Sequence, residues 1–253
     1  MWPFTKKNYL PTVTFATTCW EKDWKLLLED PEYLEKKQIG HHLFPFSKKV
    51  LVINNVLDEQ KVIEKAQKKV SQGVLTNYYL ARELASEVLS FFQLKKSDFV
   101  TDGTFGASNE WVYYNAIGVL SAIYTCETDY LLYLTGDVYL ENAVDWIPTA
   151  LKKMESKHRI KVANLVWNQR FHEAKKESFK EEKDFYVSKD GFSDQFFLVK
   201  RKDFRQPIYS EIRADASHFP RGDVFEKRVY SYMKNHRWHR ITFKRASYIH
   251  ENI

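Results

Sequence analysis

Residues 129–142 read DYLLYLTGDVYLEN. Tyr130, Leu131, Leu132, Tyr133 and Leu134 form an unbroken apolar run that stops at Thr135-Gly136-Asp137. A short apolar run closed by a turn is the pattern of a strand covered on both faces. Such a strand lifts one carboxylate, Asp137, to the rim of a sheet, and Gly136 beside it permits a close backbone approach. One carboxylate at that place suits a hard divalent cation whose other ligands are phosphate oxygens. The same residue also fits as a simple turn or helix cap.

Working outward from this stretch, strand and helix patterns alternate. Residues 12–18 (TVTFATT) and 49–54 (KVLVIN) are rich in strand formers. Each leads into a helical pattern, over 20–29 and, from a cap at Asp58, over 58–71. Helical spacing also covers 77–92, through Leu80, Leu84 and Val88, and 110–124, through Trp111, Tyr114, Ile117 and Leu120. A short strand is expected over 99–102. Beyond Asp137 the patterns give a helix over 146–154, strands over 161–167 and 195–200, a helix over 223–235 and a strand over 241–249. The charged segment 170–183 is expected as a solvated loop or helix. This order predicts an α/β fold with a mainly parallel central sheet flanked by helices and a more mixed C-terminal part. It is expected to form a single domain over residues 1–253, with a nucleotide-binding part to about residue 140 and an acceptor-side part beyond it. Ligands of such sheets bind beyond the carboxyl ends of the strands. Those ends are polar here: Thr17-Thr18, Asn54-Asn55, Asp102 and Thr135-Gly136-Asp137.

The chain of 253 residues carries 39 basic and 33 acidic side chains, a net charge of +6. A basic surface suits an anionic ligand or an anionic membrane face, so peripheral membrane association is compatible with it. No nucleic-acid-binding motif is visible, and nucleic acid is not expected as a partner. The two cysteines, Cys19 and Cys126, make neither a disulfide framework nor a zinc pattern, which fits a reducing, cytoplasmic setting. The N-terminal MWPFTKKNYL lacks the apolar stretch of a signal peptide.

The block GASNEWVYYNAIGVLSAIYTCETDYLLYLTGDV resembles the central block of glycosyltransferases with the nucleotide-diphospho-sugar (A-type) fold, in particular the large inverting superfamily. There a polar turn with an asparagine opens a helix, and the next strand ends in Asp-x-Asp or a looser x-x-Asp. Asn109 stands at the asparagine and Asp137 at the last acid, while Thr135 stands where a first Asp is common. TVTFATTCW resembles the first strand, whose exit loop embraces the nucleotide, which brings in Thr17 and Thr18. VLVINNVLDEQ resembles the second, with Asn54, Asn55 and Asp58 at the nucleoside-binding places. DQFFLVKRKDF and FEKRVYSYMKNHRWHRITFKRASYIHEN resemble the acceptor-side strand and the closing block. In the latter a Glu-Asp pair opens a helix and a His ends a strand. Glu226 and His250 take those positions, with Lys227 where the second acid stands and Asp223 one turn earlier.

The resemblance implies a polysaccharide-type glycosyltransferase that moves a sugar from a nucleotide-diphospho-sugar to a hydroxyl of a glycan or other acceptor. Charge building on the leaving diphosphate calls for a cation or oriented donors. Asp137, with His250, is implied to hold a divalent ion, Mn or Mg, although catalysis without a metal stays open. The acceptor hydroxyl needs a general base; the resemblance points to Glu226 first, then to Asp223 and Asp194. Lys200, Arg201 and Arg221 are cationic candidates for a phosphate. Two other readings stay open. One is a degenerate transferase fold, or a basic α/β module, that binds without catalysis. The other is a sugar nucleotidyltransferase, against which TVTFATTCWEKDW counts, having no glycine-rich triphosphate loop.

Overall fold

The computed structural model describes residues 10–101, 103, 108–216 and 224–251. Strands β1 (Val13–Cys19), β2 (Lys48–Ile53), β3 (Asn77–Leu80) and β4 (Tyr130–Leu134) run parallel in the order β3-β2-β1-β4. The chain therefore builds outward from β1 on one side and then returns to its other side with β4. That reversal is a topological switch point, the place beyond whose strand ends such sheets bind their ligands. The sheet continues through β9 (Phe196–Lys200), β6 (Ile160–Trp167), β10 (His239–His250), β8 (Phe185–Ser188) and β7 (Lys180–Glu181). Strands β6 and β10 keep the common direction, whereas β9 and β8 oppose it. A last pair, β5 (Val138–Tyr139), lies antiparallel to the end of β10.

Alternation along the strands feeds two cores. Phe15, Leu51, Ile53, Leu132 and Leu134 face helices α1 (Trp24–Glu29), α2 (Glu59–Ser71) and α5 (Ile147–Ser156). Ala16, Val50, Val52, Leu131 and Tyr133 face α3 (Ala81–Phe91), α4 (Asn109–Thr125) and α8 (Phe225–Asn235). Burial on both faces explains why these strands read as continuous apolar runs. Two shorter helices, α6 (Phe171–Glu177) and α7 (Arg201–Phe204), flank the C-terminal half.

The structure corrects several local expectations. Residues 77–92 are not one helix: Asn77–Leu80 pairs with β2 before α3 begins, because edge pairing satisfies backbone groups that a first helical turn leaves open. Helix α1 starts at Trp24, after a turn. Residues 99–101 form no strand; Phe99 is buried against Tyr113 instead, behind a single helical turn at Lys96–Asp98. The charged segment 170–183 holds α6 and β7, and β8 follows it. Because β9 runs antiparallel, Lys200 pairs opposite Tyr130, at the amino end of β4. Lys200 and Arg201 are thus at the far end of the sheet from Asp137, and Lys200 Nζ is bound to Glu155 at 2.6 Å. Arg221, Asp102 and Asp223 lie outside the described residues. Among the described residues no helix is long and apolar enough to cross a membrane.

Candidate functional site

The turn that ends β4 is held from below. Val138 N–H donates to Thr135 O, and Gln38 Nε2 reaches the carbonyls of Thr135, Gly136 and Val138 at 3.2, 3.1 and 2.7 Å. Gln38 is fully buried and comes from a wide helical turn, Tyr33–Ile39, that runs beside 138–144. Its amide supplies a donor to Gly136 O and Val138 O and a second one to Thr135 O. Thr135, in the place of a first Asp, donates its hydroxyl to Asp137 Oδ1 at 2.8 Å. It fixes the carboxylate through Oδ1 and leaves Oδ2 for another partner.

Oδ2 meets His250. The separation to Nε2 is 3.0 Å, and the two side chains are 18% and 14% exposed. The contact depends on an irregularity in β10. Phe243 pairs with Leu165 and Ser247 with Val166, so three residues bulge out between them. Beyond the bulge the strand swings toward β5, where His250 pairs with Val138. The exit turn of β6 completes the grip: Asn168 accepts from His250 N–H at 2.8 Å, with Asn168 and Gln169 both at positive φ. Sequence reasoning named Asp137 and His250, and the structure brings them together.

Behind the pair lies a second carboxylate that sequence reasoning missed. Asp23 comes from the exit loop of β1, is 2% exposed and accepts from Trp20 N–H at 2.8 Å. Gly136 exists for this approach. A Cβ there would overlap the Asp23 carboxylate and lie 2.8 Å from Thr18 O. Gly136→Ala is expected to destabilise the fold by about 1–3 kcal/mol, as overpacking does, read as a lower denaturation midpoint. Burial pushes the Asp23 carboxyl well above the ordinary range; the Trp20 N–H opposes this and the charge of Asp137 adds to it. The folded state thus binds more protons than the unfolded chain above the unfolded value of about 3.9. Stability therefore falls as pH rises through that window. In chelator-treated buffer, Asp23→Asn is expected to melt higher than the parent at neutral pH, with the difference shrinking toward about pH 4. The Tyr33 hydroxyl nearby is buried without a partner; burial, then the Asp137 charge, raise its pKa.

Of the other nucleotide-side candidates, Thr18, Asn54, Asp58 and Asn109 are engaged in hydrogen bonds within the chain. Thr17 is fully buried, and Thr18 shares a hydrogen bond with Tyr133 Oη at 2.8 Å. Asn54 is 9% exposed and donates to Tyr114 O at 2.6 Å, tying β2 to α4. Asn55 is exposed at φ 51, and Asp58 caps α2 through Lys61 N–H. Asn109 opens α4 and accepts from Thr101 N–H at 2.8 Å. The structure joins two of the candidates for a general base: Glu226 Oε1 accepts from Asp194 N–H at 3.0 Å.

Glu226 lines a pocket of about 380 Å³ between β6, β10 and α6. Gln195 and Tyr248 line it too. Gln195 O accepts from Thr135 N–H, and Tyr248 lies two residues before His250. The pocket thus adjoins the Asp137–His250 pair.

Two ligands on adjacent corners of a six-coordinate ion at about 2.1 Å stand about 3.0 Å apart, which is the separation found. Among the described residues no group of three His, Cys, Asp or Glu side chains is placed to hold a metal. Asp137 Oδ2 and His250 Nε2 fit as the protein's share of a shell whose remainder comes from ligand oxygens and water.

No protein-family model and no curated protein matches the chain by sequence. Solved structures do match. A mannosyltransferase, PcManGT from Pyrobaculum calidifontis, in complex with GDP-Man and Mn2+, superposes with TM-score 0.54 at 12% identity, over 96% of this chain and 57% of that one. GalNAc-T7 with UDP, GalNAc and Mn2+ matches at TM-score 0.49 and 11% identity, over 96% of this chain and 44% of that one. Glucosyl-3-phosphoglycerate synthase from Mycobacterium tuberculosis, with Mn2+, UDP and glucosyl-3-phosphoglycerate, matches at 0.46 and 6%, over 99% and 79%. The chain spans little more than half the length of the mannosyltransferase. With the switch point between β1 and β4 and a mainly parallel sheet, the chain has the nucleotide-diphospho-sugar (A-type) glycosyltransferase fold.

Proposed function

We propose that the chain is an inverting glycosyltransferase that moves a sugar from a nucleotide-diphospho-sugar to a hydroxyl of a glycan or similar acceptor. The observation that carries this reading is the convergence of Asp137 and His250 at the switch point, beside a pocket lined by Glu226. The similar mannosyltransferase holds GDP-Man and Mn2+, which supports a donor and ion of the same classes here.

Asp137 Oδ2 and His250 Nε2 would hold the ion, which when bound offsets charge on the leaving diphosphate. Thr135 and Gln38 hold the turn and the carboxylate rigid, so no reorganisation is needed as charge develops. Glu226, steadied by Asp194 N–H, takes the proton from the acceptor hydroxyl as that oxygen attacks the anomeric carbon from the face opposite the diphosphate. One attack by an external hydroxyl inverts the anomeric centre.

The reading is tested by thermal shift with UDP, GDP, dTDP, CDP and CMP, each with and without Mn2+. A shift for one diphosphate that requires the metal supports the transferase and identifies its base. A shift without metal dependence removes the ion from the mechanism. Absence of any nucleotide shift favours a fold retained for binding alone.

A further inference from the structure

We infer that the end of the sheet opposite the candidate site docks on an anionic lipid surface. The turns before β6 and β10 and after β8 meet there, because β6 and β10 start at the end of the sheet where the antiparallel β8 finishes. Their ten residues, 157–159, 188–190 and 236–239, hold four Lys or Arg, three His and one acid, Asp190. Lys157, Arg159, Lys189 and Arg237 are all exposed, and among the described residues none of them forms an ion pair. Neighbouring cations are already committed, Lys161 to Asp203 at 2.8 Å and Lys200 to Glu155 at 2.6 Å. The uncommitted charges converge on one imidazole. His239 N–H donates to Arg159 O at 2.7 Å. Burial, then the charge of Arg159, holds the His239 ring below its ordinary range, with Asp190 opposing and Lys189 adding. Like charges gathered in this way attract a surface of opposite sign.

An apolar group sits among these charges. Phe179 is 49% exposed, with its ring 5.3 Å from His239 and 5.8 Å from Lys189 Nζ. A phenylalanine beside a row of cations is the pattern of an interfacial anchor: the ring enters the headgroup layer while the cations meet lipid phosphates. Single-stranded nucleic acid asks instead for open aromatic faces on which bases stack. Trp238 has Lys161 over its ring at 5.4 Å and Phe204 and Tyr232 against it, and Tyr232 stacks on His236 at 3.9 Å. Those rings are engaged within the protein. What remains is surface charge and one exposed phenylalanine, and a fluid bilayer adapts to both. Strand β6, eight residues long, separates this end from the exit turn that grips His250. At about 3.3 Å per residue, the docked protein presents Asp137 and His250 to solvent about 25 Å from the lipid.

The full chain is sedimented with vesicles of phosphatidylcholine alone and of an equal mixture with phosphatidylglycerol, at low and high salt. Binding is expected to the mixed vesicles only, and to fade at high salt. Arg159→Glu with Lys189→Glu is expected to weaken it by roughly thirtyfold or more, and Lys157→Glu with Arg237→Glu to do the same independently. Phe179→Ala is expected to cost roughly fivefold. The control is Lys25→Glu with Lys61→Glu, the same change of net charge on exposed side chains in the first turns of α1 and α2, at the other end of the sheet; it should bind like the parent. Melting midpoints verify that each variant is folded. The assay reads no activity, so its outcome is independent of sugar transfer. Failure of the parent to bind mixed vesicles at low salt, equal losses in patch and control variants, or binding to phosphatidylcholine alone that the patch variants retain each overturns the inference. An unrelated single-stranded oligonucleotide that binds through Arg159 and Lys189 while vesicles do not would also overturn it, and would make the partner a nucleic acid.

Discussion

Asp137→Asn is expected to remove the metal-dependent part of nucleoside-diphosphate binding and to lower turnover by roughly 10²–10³-fold, the scale of losing one preorganised charge-stabilising group. Asn keeps the shape of the side chain and an oxygen that Thr135 can still hydrogen-bond, so the turn of residues 135–138 should hold. What it loses is the full charge on the oxygen 3.0 Å from His250 Nε2. A hard divalent ion bound by one carboxylate and one imidazole depends heavily on that charge. Calorimetry of the identified nucleotide with and without Mn2+ checks this. The parent should show a metal-dependent gain that the variant lacks, while metal-free affinities agree. Equal metal enhancement in both proteins would place the ion elsewhere. His250→Ala should fall in the same direction, since the second ligand leaves the same shell.

The central strand was readable because its physics is local: five apolar residues ended by Gly136-Asp137 can hardly be anything but a strand buried on both faces. Helix α4 was readable for the same reason. Strand β3 was not. Tyr78, Tyr79 and Leu80 run without a breaker into α3 and fit its helical spacing, and pairing with β2 alone decides their state. β8 was equally hidden, its burial created by its neighbour β10 from far along the sequence. The candidate site divides the same way. Asp137, His250 and Glu226 were named because their motifs come in a recognisable order along the chain. Gln38 and Asp23 were not, since their partners lie about a hundred residues away and no local pattern marks a glutamine that will bind three carbonyls. Asn54 shows the converse: a polar strand end suggested a ligand, while the structure spends it on Tyr114 O.

Glu226→Gln is expected to lower kcat by roughly 10²–10⁴-fold, the contribution of a positioned general base, and to leave nucleotide affinity unchanged. The substitution is nearly isosteric, and the amide oxygen can still accept from Asp194 N–H, so the loop before β9 should keep its place. Only the ability to take a proton is lost. Loss of the base alone predicts a fall in kcat with little change in KM, because the carboxylate acts as the acceptor oxygen becomes nucleophilic. It also predicts that the acid limb of the pH–rate profile disappears, since an amide has no carboxylate to protonate. Asp194→Asn is the control: its backbone N–H remains, so Glu226 stays held and activity should stay near the parent's. If Asp194→Asn is the crippled variant and Glu226→Gln is not, the two carboxylates exchange roles. Proton NMR of the product completes the argument, because a base-assisted single attack gives an inverted anomeric centre. A retained centre would remove Glu226 from this role whatever the rates.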